Sequence, residues 1–491
     1  MKKLFLLFFS ATHLYAIYAQ KDVARNLDSL FTILHKQEQF NGNVLIANKG
    51  KIIYERSFGY SDTDQKKELN PSSIFDIGPV SKQFTSMAIM ILFDRHKLTF
   101  DDNVKQYLHE IPYSNITIRH LLTHTSGMPE HFRNATKWGL GWDTVTIKNN
   151  KKLFNELVKR KPALNFNPGE RWEYCNDNYA LLALIVEQIS GMKFRDFLKK
   201  EIFDPLQMNN TSSFTRFDKI KPKELAVGYE YSFQKGKYVP GDEIPDLYFT
   251  LSKDGVEGDG NIKSTTEDLL KWDRALYVEK LIKNSTLDEA FSPVKLNNGQ
   301  TVNYGFGWFI DYNEASENEI KQNGGTPGHF TYIGRYVGIY KTVIFQKNIN
   351  AYGFGGTMKA IENILSHRPF IIPKRSIAEV IRKMDFNVGR LEVIKNKCTE
   401  LKNDSAHYYY NENEFLKTCR SLVINNNFAG ADSLFKIITA YNPSSAFANN
   451  YMGDVFMENN IYERAMAYYK RTLQLDLAFT SAAENLKRVQ E

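Results

Sequence analysis

The chain is poor in the features that would settle its class at once. Of 491 residues only three are cysteine, Cys175, Cys398 and Cys419. They are too few, and odd in number, to supply a disulfide framework as the basis of the fold; Cys398 and Cys419 could bridge or stay apart on this reading. Charge is not skewed. Lys and Arg number 63 against 56 Asp and Glu, a net charge of +7, and no run of five like charges occurs, so nothing points to nucleic acid as a partner. Beyond the first twenty residues there is no apolar stretch long enough to span a membrane. The 29 Gly and 15 Pro are spread without period, which excludes collagen-like and low-complexity classes. What is present is a globular composition, 42% hydrophobic and 13% aromatic with 24% charged. A chain of this length buries a sizeable core and divides into two to four domains.

The N-terminus reads as a targeting segment. Met1-Lys2-Lys3 is followed by the apolar run Leu4–Phe9 and a weaker stretch to Ala19. That pattern predicts a signal peptide, residues 1–19, cleaved after Ala19. The run is short for a membrane anchor and carries Thr12 and His13. No Cys stands near the cut, so a lipoprotein is not expected. The expected location is outside the cytoplasm, periplasmic or secreted.

Periodicity then divides the rest. Residues 42–60 alternate around Asn48-Lys49-Gly50, a β-hairpin. Val80, Phe84, Met87, Ile91 and Leu92 in 79–96 have the spacing of an amphipathic helix. Helices are also expected at 116–122, 178–191 and about 357–367, and strands at 304–310, 330–340 and 341–347. Strands at both ends with helices between them predict an α+β domain whose antiparallel sheet joins N- and C-terminal segments, flanked by helices and a helical subdomain. From about 376 onward the pattern is helical with no strand. Here Leu422 and Phe456, Phe428 and Tyr462, Ala431 and Ala465, and Phe435 and Tyr469 are each 34 residues apart. The period and the small and aromatic positions resemble tetratricopeptide repeats, with Pro443 closing the first and Leu477 where a second Pro would stand. The expected organisation is therefore 1–19 signal peptide, 20–367 α+β domain, 368–405 linker and leading helix, and 406–491 repeats, an all-α module suited to a protein partner.

Three segments carry a family resemblance: Phe75-Asp76-Ile77-Gly78-Pro79-Val80-Ser81-Lys82-Gln83-Phe84, Tyr174-Cys175-Asn176 after Pro168-Gly169, and Gly324-Gly325-Thr326-Pro327-Gly328. Leu121–Gly127 (LLTHTSG) and Gly258-Asp259-Gly260 support them. Together, over about 25–367, they resemble the serine β-lactamase-related family of class C β-lactamases, D-alanyl-D-alanine peptidases and related esterases. The resemblance implies acyl transfer without metal or cofactor. In the family a Ser opens a helix, and a Lys three residues on shares its face. That Lys and the Tyr of Tyr-x-Asn take the Ser proton, and the Asn holds the Lys. A Lys or His in a strand triad ending in Gly completes the polar site, and two backbone N–H groups, one from the Ser itself, hold the oxyanion.

The chain departs from this pattern at its centre. Three residues before Lys82 stands Pro79, with neither a hydroxyl nor a backbone N–H. Proline suits the first turn of a helix, so the replacement keeps the fold while removing two catalytic parts. In the third motif Gln322-Asn323-Gly324 occupies the His/Lys triad, and Gln322 carries no charge. Lys82, Tyr174 and Asn176 remain, with Gly324 and Gly325 as ligand-binding backbone. Either these groups line a pocket that still takes a peptide-like or D-amino-acyl ligand, or they satisfy one another beneath a filled one. An enzyme acting through another nucleophile is the alternative. Ser81 neighbours Lys82 and does not share its face. Cys175 is a candidate thiol or simply a small buried residue. His120 and His124 have an i, i+4 spacing but no third ligand, so no metal site is expected. The targeting segment yields the first prediction: N-terminal sequencing of protein recovered from its native host finds Gln20 first, and Met1 on cytoplasmic protein would contradict it.

Overall fold

Lys49 and Gly50 both take positive φ, 50° and 75°, in the two-residue turn whose twist matches that of the strands it joins. It links β1 (Gly42–Asn48) to β2 (Lys51–Phe58). In the computed structural model, which describes residues 22–130, 149–215, 218, 221–232, 235–244, 247, 253–312, 318–349, 353–386 and 390–490, this hairpin forms one side of a six-stranded antiparallel sheet. The other strands are β3 (Phe309–Asp311), β4 (Glu319–Thr326), β5 (His329–Tyr336) and β6 (Lys341–Lys347), in the order β3-β4-β5-β6-β1-β2. β1 pairs with β6 from Gly42 opposite Lys347 to Asn48 opposite Lys341. The two ends of the domain therefore share a sheet, as expected. The expected signal peptide, residues 1–19, lies outside the described residues.

Several boundaries differ from the sequence expectation, each for a physical reason. The strand expected at 304–310 shrinks to Phe309–Asp311. A Cβ on Gly305 would come within 2.0 Å of the Ala290 carbonyl, so the chain turns there and sends Phe306 and Trp308 into the core instead of extending. The strand expected at 330–340 ends at Tyr336, followed by a 3-10 turn, Val337–Ile339. The helix α1 (Lys82–Asp94) is buried on every side from Lys82 to Leu92 rather than amphipathic. Its polar residues find partners across the domain: Thr85 Oγ1 donates to the Gly258 carbonyl at 2.7 Å, and Gln83 Oε1 accepts from Trp272 Nε1 at 2.8 Å. Buried polar groups paired in this way are tolerated in a core. α2 (Asn176–Ser190) packs beside α1 and is likewise buried along most of its length. α3 (Thr266–Ala275) is anchored to the sheet by Asp273, which takes Arg335 Nε from β5 at 2.8 Å and Thr342 Oγ1 from β6 at 2.7 Å. Among the described residues no helix is long and apolar enough to cross a membrane.

The chain forms two compact units. The first holds the sheet, α1 to α3, and residues up to Glu230, Pro240–Asn350 and Ile364–His367; the second holds Tyr231–Val239, Ala351–Asn363 and the chain from Arg368. The second has its own core, running from Ile377 through Cys398, Leu416 and Phe456 to Ala482. Its helices include α4 (Glu412–Ile424), α5 (Phe428–Tyr441), α6 (Ala446–Glu458), α7 (Tyr462–Leu475) and α8 (Thr480–Gln490). α4 and α6 begin 34 residues apart, and so do α5 and α7. A short parallel pair, Arg375–Ser376 with Tyr408–Tyr409, interrupts a region expected to be wholly helical. Cys398 and Cys419 are not bridged: all three cysteines are free and buried, and Cys419 Sγ–H points to the Ala431 carbonyl at 3.7 Å.

α6 and α7 approach so closely that a Cβ on Gly453 would lie 2.5 Å from the Tyr469 ring. Ala465, on α7, is fully buried in the same core. Ala465→Leu in the full chain therefore overpacks this core and lowers the stability of the helical unit by about 1–3 kcal/mol. Urea unfolding followed by far-UV circular dichroism measures this, and an unchanged transition would contradict the close packing.

Candidate active site

β4 pairs with β3 only from Glu319 to Lys321. Beyond that point the turn preceding α1 lies against the open edge of β4. A Cβ on Gly324 would come within 2.0 Å of the Ile77 carbonyl and 3.0 Å of the Pro79 nitrogen. Only glycine allows that approach, which gives Gly324 a structural reason independent of any ligand. The turn itself is a 3-10 helix, Gly78–Ser81, with Gly78 at φ 50° and its N–H held by Asp76 Oδ1 at 2.9 Å. α1 follows at once, so Pro79 and Lys82 stand one turn apart. Pro79 lines a cavity of about 680 Å³, whose wall also carries Asp76, Asn176, Lys253, Asp259 and Lys263.

Lys82 is completely buried. Its Nζ donates to Asn176 Oδ1 at 2.8 Å and to the Asp259 carbonyl at 2.7 Å, and it lies 4.9 Å from the centre of the Tyr174 ring and 5.4 Å from that of Tyr179. Burial pushes its pKa down to about 8, against the opposing pull of the Asp259 carboxylate. Asn176 in turn donates through Nδ2 to Glu130 Oε1. Lys82, Tyr174 and Asn176 are thus brought together from α1, from the approach to α2 and from its first residue. Tyr174 is held as a neutral phenol, its pKa well above the usual value through burial and then through the Asp259 carboxylate.

Gln322 points at the same place from β4. Its Nε2 lies 3.5 Å from the Pro79 carbonyl, at the long limit of a hydrogen bond, and its buried Oε1 has no partner among the described residues. Gly325 is open: no atom lies within 4 Å of where its Cβ would stand. Of the two stand-in nucleophiles considered, Ser81 Oγ accepts from the Ile262 N–H at 3.3 Å, and burial raises the Cys175 thiol well above its usual pKa. His120 and His124 are used locally. His120 Nδ1 accepts from Thr117 N–H in a capping box, and His124 Nδ1 accepts from Cys175 N–H at 3.2 Å.

Glu130 carried no mark in the sequence pattern, yet it extends the polar chain around Lys82 through Asn176. Gly258-Asp259-Gly260 was marked as a supporting motif, but not the use of the Asp259 carbonyl as the acceptor for Lys82. His124 packs against Tyr174 with ring centres 4.4 Å apart and the rings tilted by 39°; its i, i+4 relation to His120 drew attention to the residue for a different chemistry.

The Lys82 environment has a thermodynamic consequence. Unfolding returns the ammonium to a pKa of 10.5 from about 8. Between these values the unfolded chain binds more protons, so the stability of the wild type rises with pH across that window. Relative to Lys82→Met, which has nothing to titrate, the wild type should gain about 3 kcal/mol from pH 8 to 10.5 and show a constant offset below pH 8. Urea unfolding of both proteins at several pH values tests this; a difference independent of pH would contradict it.

The comparisons with known proteins agree with this geometry. The family profile described as Beta-lactamase matches residues 27–355. Penicillin-binding protein 4* of Bacillus subtilis is 37% identical over 357 residues, covering 72% of this chain and 78% of that protein. The octameric penicillin-binding protein homologue from Pyrococcus abyssi superposes with a TM-score of 0.60 at 26% identity, over 70% of this chain and 77% of that one. D-amino acid amidase from Ochrobactrum anthropi shares the fold, with a TM-score of 0.57 at 20% identity over 71% of this chain and 97% of that one. With this sheet, this buried helix and these matches, the chain belongs to the β-lactamase family of penicillin-binding-protein-like serine hydrolases.

Proposed function

We propose that this protein is an exported, catalytically impaired member of its family, which binds a peptide-like or D-amino-acyl ligand without hydrolysing it. The observation that carries this reading is Pro79, one turn before Lys82 and on the cavity wall. The family's acyl transfer needs a hydroxyl there, together with that residue's own N–H for the oxyanion, and proline supplies neither. The changes are concerted. Gln322 replaces a charged group and turns its amide to the Pro79 carbonyl. Lys82 has its ammonium bonded to Asn176 and to the Asp259 carbonyl instead of facing a serine.

The cavity nevertheless stays open. Among the described residues its wall carries five carboxylates, Asp76 and Asp259 among them, and three ammonium groups, Lys253 and Lys263 among them, an acid-rich mixture suited to a zwitterionic or peptide-like ligand with a positive group rather than to a polyanion. The name of the 37% identical relative, a penicillin-binding protein, makes a penicillin the natural probe. The 34-residue offset of the C-terminal helices supports a tetratricopeptide-like module in the same molecule, offering a surface to a protein partner. The intact Lys82, Tyr174 and Asn176 favour a second reading, an active hydrolase with an unrecognised nucleophile.

The wild type separates the two, since only the second reading lets a fluorescent penicillin label it; reversion tests whether the pocket is preserved. Pro79→Ser returns a hydroxyl and an N–H to the turn and should be labelled slowly by a fluorescent penicillin. Adding Gln322→His should raise the labelling rate, since one electrostatic stabiliser is worth about two to three orders of magnitude. A well-folded double variant that never labels would contradict a preserved pocket.

A further inference from the structure

We infer that the Asp259 carboxylate takes the ammonium group of a cationic ligand, the free amino group of a D-amino-acyl compound, in the cavity that Pro79 lines. This rests on the reading that the cavity binds such a ligand, and it names the residue and the ligand group that meet there. All the residues concerned belong to the first compact unit.

Asp259 has two separable parts. Its backbone carbonyl accepts from Lys82 Nζ at 2.7 Å, a task that any residue could perform. Its side chain takes no part in that bond. The residue is only 9% exposed and lines the cavity. Among the described residues no donor lies within hydrogen-bond distance of its carboxylate; its ion-pair partner, Lys253 Nζ, stands 3.8 Å from Oδ2. A carboxylate withdrawn from most of its water and given no hydrogen bond is destabilising. A ligand N–H that completes its coordination relieves this.

The carboxylate is also presented from a fixed backbone. Asn150 Oδ1 accepts the Glu257 N–H at 2.8 Å, and Asn150 Nδ2 donates to the Glu257 carbonyl at 2.7 Å. The Gly258 carbonyl accepts from Thr85 Oγ1 at 2.7 Å. A Cβ on Gly258 would stand 2.3 Å from the Tyr179 carbonyl oxygen, so the turn lies directly on α2, with Gly258 at φ 101°. The carbonyls of Glu257, Gly258 and Asp259 are thus bonded in succession to Asn150, Thr85 and Lys82. A group carried by such a turn has little freedom to lose on binding.

The neighbouring cations decide the sign of the ligand. Lys263 Nζ donates to the Phe214 carbonyl at 3.1 Å, to the Asn261 carbonyl at 3.2 Å and to Asn261 Oδ1, which occupies all three of its N–H bonds. Lys82 is bonded to Asn176 and to the Asp259 carbonyl, Lys253 faces Asp259 itself, and Gln322 carries no charge. The ammonium groups are engaged, whereas a carboxylate accepts several donors at once. A single carboxylate suits an organic ammonium; a metal ion asks for several oxygen ligands.

Isothermal titration calorimetry of the full chain with D-alanine amide and with N-acetyl-D-alanine amide compares an ammonium with a neutral amide on one skeleton. The wild type should bind the ammonium form about tenfold more tightly. Asp259→Asn, which keeps the shape of the side chain, should abolish that preference and leave the affinity for the N-acetyl compound unchanged. Equal binding of the two probes by the wild type, or a preference that survives Asp259→Asn, would overturn the assignment and leave the ligand reading intact. Binding of neither probe at millimolar concentration would contradict the ligand reading, and this inference with it. If Asp259→Asn does not fold, wild-type crystals soaked in D-alanine amide decide. The ligand nitrogen within about 3 Å of an Asp259 carboxylate oxygen supports the assignment, and the nitrogen at any other place overturns it.

Discussion

The arrangement of the first unit turns on one buried ammonium group. An amine cation without water is tolerated only where oxygen atoms surround it, and Lys82 obtains them from two distant segments, Asn176 and the backbone at Asp259. Supplying them fixes the start of α2 and the 258–260 turn against α1. It also explains why α1 is polar at Thr85 and Ser86 yet buried there, since the segments that hold Lys82 bring the Gly258 carbonyl and the Tyr179 hydroxyl with them. Glu130 extends the same chain of bonds through Asn176.

This constraint gives the remaining family residues a reason to persist that does not require chemistry. Lys82, Tyr174 and Asn176 are needed once the lysine is buried, whatever precedes it in the turn. Pro79 is neutral to that framework: its fixed φ suits the first turn, and its missing N–H has no partner to lose. Gln322, facing the Pro79 carbonyl, keeps the β4 edge polar without placing a second cation near Lys82. A scaffold held together by this lysine can thus carry a residue without a hydroxyl at position 79 and keep its fold.

Much of this was legible in the residues. Asn48-Lys49-Gly50 marks its hairpin because two positive-φ positions are required there. The sharing of a sheet by β1 and β6 follows from strand patterns at both ends of the domain. The three family motifs meet in space, each giving a residue to one cavity wall: Pro79, Asn176 and Gly325. What the residues concealed depends on long-range pairing. α1 looks amphipathic until Trp272 and Gly258 are seen to pair with Gln83 Oε1 and Thr85 Oγ1. The strand expected from Tyr304 is cut short by a glycine whose close neighbour, Ala290, is distant in sequence from the sheet. Glu130 enters the site by position alone, and the Gly258-Asp259-Gly260 segment, though marked in the sequence, enters through a backbone atom. Nor does a backbone carbonyl such as that of Asp259 leave any trace in residue type.

The central claim is that the site has kept its framework and lost its nucleophile. Intact-mass measurement of the wild-type protein after prolonged exposure to penicillin G and to a fluorophosphonate tests it most directly, because a serine, threonine or cysteine that attacks either reagent keeps the added mass. The account predicts an unchanged mass with both. A stoichiometric adduct mapped to a single residue of the cavity would contradict it and identify the nucleophile of an active enzyme.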